Sequence, residues 1–79
     1  MNAMIWPFSE PTLHVHGRRD VRVEDCRQIL EYNDVLVRMR AGRLEVAVWG
    51  TGLRVHDAPD AGVRITGTIA SIELREVRG

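Results

Sequence analysis

The chain has 79 residues, eleven arginines and no lysine against eleven acidic residues, zero formal charge, 44% apolar content and a single cysteine. A domain this short buries only about 60% of the surface its unfolded form exposes. One cysteine excludes an intramolecular disulfide and a multi-thiolate zinc site, leaving a partner chain as the remaining staple.

Balanced charge argues against a chain built to wrap nucleic acid or to lie on anionic lipid. No apolar run approaches the 18 or so residues of a membrane span. Met1 to Phe8 lacks the basic start and long apolar core of a signal peptide, so the cytosol is the default compartment.

Residues 1–11, MNAMIWPFSEP, place Met4, Ile5, Trp6 and Phe8 between two prolines that forbid a continuous helix. They read as an arm, either frayed or covering apolar surface on this domain or a neighbour. Residues 12–76 read as a single all-β domain and 77–79 as a tail. Thr12 to His16 alternates Leu13 and Val15 against His14 and His16. Gly17-Arg18-Arg19-Asp20 is a polar turn, and Val21 and Val23 resume the alternation.

Glu24 to Gln28 has no strand pattern and predicts a loop or one helical turn before Ile29 to Tyr32. Tyr32-Asn33-Asp34-Val35 is a turn. Val35 to Val55 organises the rest. A two-residue turn at Ala41-Gly42 would pair Met39 with Leu44, Val37 with Val46 and Val35 with Val48 on one face, and Arg38 with Glu45 on the other. Gly50-Thr51-Gly52 lacks the strand, helix and lysine context of a phosphate loop and reads as a turn.

His56 to Gly62 is a loop punctuated by Pro59, Asp60 and Gly62. Val63 and Ile65 resume alternation. Ile69 keeps their parity, whereas Ile72 and Leu74 have the other, so a bulge or bend belongs near Ala70-Ser71. Glu76 to Gly79 is polar. Six to eight short strands at roughly 8 to 12-residue spacing, with no helix-period segment, predict an all-β fold, a small antiparallel sandwich or roll. The second face of the central hairpin is mixed, because Leu36, Ala47 and Trp49 interrupt Arg38 and Glu45. A second layer or a partner should cover it.

Residues that carry chemistry are sparse. His14 and His16 share a strand face and His56 precedes Asp57, which makes a metal site conceivable, but nothing brings His56 to the other two and alternate polar positions are ordinary on half-buried strands. Cys26 sits among Glu24, Asp25 and Arg27, where two carboxylates would raise its pKa and oppose a thiolate nucleophile. Glu24 with Asp25, or Asp57 with Asp60, could serve as acid and base, though loop solvation accounts for them. Arg18, Arg19 and Arg22 form one basic patch and Arg38, Arg40 and Arg43 another. Few aromatics interleave them and acids lie nearby.

As a string, Val23 to Leu74 carries Val23-Glu24-Asp25, Ile29-Leu30-Glu31-Tyr32, the alternating Val35 to Met39, and Gly42-Arg43-Leu44-Glu45-Val46. Gly50 with Leu53-Arg54-Val55, then Val63 to Ile69 and Ile72-Glu73-Leu74 complete it. In order and spacing this stretch, about two thirds of the chain, resembles the YabP/YqfC family of sporulation proteins, and more its YqfC branch. The chain has Asp25, Cys26 and Gln28 where that family usually has Asn, His and Gly. The resemblance implies a small non-enzymatic β protein of the mother-cell compartment, associated with assembly of the spore's outer layers (coat and cortex). It further implies a membrane-protein partner encoded alongside, and it carries over no catalytic residue.

The resulting expectation is an interaction module without cofactor, metal or small-molecule substrate. It self-associates or binds a sporulation partner through Leu36 and Trp49, with Trp6 and Phe8 of the arm as further contacts. Two rivals come from the residues: a nucleic-acid or phosphate binder using the arginine clusters, with binding that falls steeply with salt, and a metal or thiol enzyme using His14, His16 or Cys26.

Overall fold

The structure, a computed structural model, describes residues 11–59 and 61–77. The arm residues Trp6 and Phe8 therefore lie outside the described residues. As predicted, the fold is all-β. Six antiparallel strands, β1 (Leu13–His16), β2 (Asp20–Val23), β3 (Cys26–Tyr32), β4 (Leu36–Ala41), β5 (Leu44–Ala58) and β6 (Gly62–Glu76), form one sheet in the order β1-β2-β6-β5-β4-β3. No described helix is long and apolar enough to cross a membrane.

The two fifteen-residue strands form a hairpin that is the spine of the sheet. One half of it pairs with β4 and the other with β2. Between these halves β5 and β6 each change the parity of their inward residues. Val46 and Val48 point inward on β5 before the change and Leu53 after it; on β6 Val63, Ile65 and Ile69 give way to the half-buried Ile72. Two bulges do this: Ala70 is the extra residue between Ser71, opposite Trp49, and Ile69, opposite Gly50. Gly52 and Leu53 together oppose Gly67. The slip expected near Ala70-Ser71 is thus a real bulge.

The spine doubles back on itself at these bulges. Cys26 pairs with Ala41, itself opposite Leu44 at one end of β5, yet the Cys26 N–H donates to Ala61 O, just past the other end, at 3.0 Å. The two halves therefore face each other across one core. Val21, Val23 and Ile65 from one half and Val37, Met39, Val46 and Val48 from the other are all fully buried. The β1–β2 turn is tied to the spine by Ile69 N–H to Arg18 O at 2.7 Å, and the β3–β4 turn by Gly50 N–H to Val35 O and Leu53 N–H to Asp34 O, both at 3.0 Å.

Several boundaries differ from the sequence expectation. The β4–β5 turn is Gly42-Arg43, not Ala41-Gly42, so Met39 pairs with Val46 and Val37 with Val48. Gly42, at φ 58, takes the first central position, where a two-residue hairpin loop of this kind wants glycine. Gly50-Thr51-Gly52 is a bulged segment inside β5 rather than a turn, and β5 runs on through His56 to Ala58 where a loop was expected. Cys26 to Gln28 is the start of β3, an edge strand with few buried residues. Of the polar stretch from Glu76 onward, Glu76 itself ends β6, and Val77 N–H bonds to Arg43 O.

Candidate functional site

On the outer face of the β3–β4–β5–β6 half, Leu36 lies directly opposite Trp49. Leu36 is 6% exposed and forms a floor, whereas Trp49 remains 40% exposed beside it. Together with Ala47 they make the apolar base of a trough of about 430 Å³. The trough exists because strand alternation sends every second residue outward and three of these positions are apolar. The two residues expected to form a contact surface are thus brought together, and among the described residues no second layer covers this outer face.

The rim is a ladder of charges. Arg38, on β4, is hydrogen-bonded to Glu31 on β3, and its Nη1 lies 3.6 Å from Glu45 Oε2 on β5. Arg75 Nη2 on β6 donates to Glu45 Oε1 at 2.9 Å. Glu45 therefore sits between two guanidiniums. Arg75 first, then Arg38, holds its carboxyl below the usual carboxylate value. Glu31 in turn raises Arg38 above its ordinary value. Trp49 Nε1 donates to Glu73 Oε1 at 3.4 Å, a long bond that ties the indole to β6. The Arg38 Nε is buried without a hydrogen-bond partner.

Glu31, Glu73 and Arg75 were not singled out from sequence. Glu31 could have been, since an acid opposite Arg38 across a short hairpin is a readable cross-strand pair. Glu73 and Arg75 lie beyond the Ala70 bulge, where alternation alone cannot fix register. The expected Arg38 and Glu45 contact exists, but diagonally, because Arg40 is the residue opposite Glu45.

The remaining candidates separate. His14 Nε2 is 2.7 Å from Glu24 Oε2, and His56 Nε2 is 2.9 Å from Thr66 Oγ1. Among the described residues no group of three or more His, Cys, Asp or Glu is placed to hold a metal. Cys26 is a free thiol at the seam where β3 meets the β5–β6 turn. Burial, more than the neighbouring Asp25, pushes its pKa up. Arg38 of the hairpin cluster is engaged by its two carboxylates, while Arg22 is exposed on β2.

No curated protein and no solved structure matches the chain. The sequence profile of the YabP family matches residues 9–79, which spans every strand of the sheet and both rims of the trough. The chain belongs to the YabP family.

Proposed function

We propose that this protein is a non-enzymatic interaction module of sporulation, acting in the mother cell during assembly of the spore envelope and docking a protein partner through the Leu36–Trp49 trough. Membership of the YabP family is consistent with a sporulation-related role. The observation that carries the docking surface is the half-exposed indole beside a buried leucine, ringed by charges that are already paired with one another. An apolar centre with a polar rim is the anatomy of protein interfaces, and tryptophan is a preferred anchor in them. Because Glu31, Arg38, Glu45 and Arg75 pair with one another, the charge a partner meets on approach is mainly that of Glu73. The partner is a second copy of the chain or a membrane protein of the sporulation pathway.

Trp49→Glu places a carboxylate in the apolar base without touching the core. Sedimentation of the purified protein should show association that this variant loses while its circular dichroism is unchanged. Association that survives the substitution removes the trough as the contact surface. Deleting the gene in its spore-forming host should reduce heat-resistant spores, and a normal spore yield would overturn the sporulation role.

A further inference from the structure

All three histidines of the chain fall on one surface, the outer face of the β1–β2–β6–β5 half. Register fixes two rows across the four strands. His14 lies opposite Arg22, Arg22 opposite Arg64, and Arg64 opposite His56. In the next row His16 lies opposite Asp20, Asp20 opposite Thr66, and Thr66 opposite Arg54. Every one of these outward positions is polar, because the apolar Val21, Val23 and Ile65 point the other way. Arg22 and Arg54 are exposed and form no ion pair at salt-bridge distance among the described residues, though the charge of Arg22 reaches Asp20. Arg18 and Arg19, in the β1–β2 turn, add to the same end.

The acids on this surface are few and engaged. Asp20 is held by Arg64, Nη2 to Oδ2 at 2.8 Å, and Glu24 by His14. Zero net charge over the chain thus conceals a local excess of arginine on this face, where Arg18, Arg19, Arg22, Arg54 and Arg64 outnumber Asp20 and Glu24. The face is broad, about 14 Å across four strands. Among the described residues it presents no Phe, Tyr or Trp, the rings on which bases stack best, and no apolar centre of the kind a protein interface needs. An array of arginines with neither feature complements a hydrated anionic plane.

We infer that this face docks on the anionic headgroups of a phospholipid bilayer. Because the two halves share one core, this face and the trough point in opposite directions, so a membrane-docked molecule presents Trp49 away from the lipid.

Co-sedimentation with phosphatidylcholine vesicles, with and without phosphatidylglycerol, tests this. The full chain should pellet with the anionic vesicles only and be released by high salt. Arg22→Gln and Arg54→Gln should each lower partitioning about fivefold. Trp49→Glu should leave vesicle binding intact, which separates failure of this surface from failure of the trough. Equal binding to neutral vesicles, or full binding by the arginine variants, overturns the inference. Arginine-dependent capture of a duplex or single-stranded oligonucleotide without vesicle binding overturns it in favour of nucleic acid.

Discussion

Gly50 and Gly67 lie hard against the backbone of the partner spine strand. A Cβ at Gly50 would stand 2.1 Å from Thr68 O, and one at Gly67, whose φ is 135, would stand 2.7 Å from Gly52 O. In both cases the obstacle is backbone of the partner spine strand, which cannot rotate aside. Gly50→Ala and Gly67→Ala should each cost about 3 kcal/mol in urea unfolding. Gly52→Ala, at a similar bulge but with open space around it, should cost about 1 kcal/mol for its φ of 63 alone. A second residue-level consequence concerns acid. Arg64, by hydrogen bond and then by charge, holds the Asp20 carboxyl below its ordinary value of 3.8. A carboxyl depressed in the folded state contributes stability that is complete above the unfolded value and is lost as pH falls through the folded one. The stability gap between wild type and Asp20→Asn should therefore be present at neutral pH and close below about pH 4. A gap that persists in strong acid would show that the pair contributes by some other route.

Elements are held in register by devices that sequence reveals unevenly. The β3–β4 turn is set by Asn33, whose Oδ1 accepts from the N–H groups of Val35 and Leu36, each at 2.9 Å. Removing that acceptor strands two donors, so Asn33→Ala should cost about 2 kcal/mol, while Asn33→Asp, which keeps the oxygen, should cost far less. That turn was legible because Asn-Asp between two apolar runs has a local mechanism. The Ala70 bulge was legible for another reason: a single inserted residue reverses parity, and Ile69, Ile72 and Leu74 record the reversal. The β4–β5 turn was misplaced because moving from Ala41-Gly42 to Gly42-Arg43 shifts the register by two and leaves every side chain on its own face. Alternation is blind to such a shift, and only the preference for glycine at the first central position distinguishes the two. Cys26 to Gln28 was missed because an edge strand buries little and so leaves no alternation to read. Leu36 and Trp49 stood out as apolar residues on a face otherwise charged. The histidine and arginine rows did not, since their members come from four strands whose order no local pattern encodes.

At the scale of the whole molecule, the doubled spine decides whether two half-sheets behave as one body. Neither half has a second layer of its own; each uses the inner face of the other, so Ile65 and Val21 from one side and Met39 and Val48 from the other are fully buried only together. Loosening one half must then expose the other, and unfolding should be a single transition. The test uses Trp49, which sits in the half that does not contain Ile65, in a Trp6→Phe background so that it is the one indole. Ile65→Val removes one buried methyl group and should cost about 1 kcal/mol. If the halves are coupled, the urea midpoint reported by Trp49 fluorescence falls with unchanged slope, and falls as far as the midpoint reported by far-ultraviolet circular dichroism. If they were independent, the fluorescence midpoint would stay where it was while the circular dichroism transition broadened. The coupled result also bears on the two outer faces, since a partner that grips the trough would then stabilise the basic face on the opposite side without touching it.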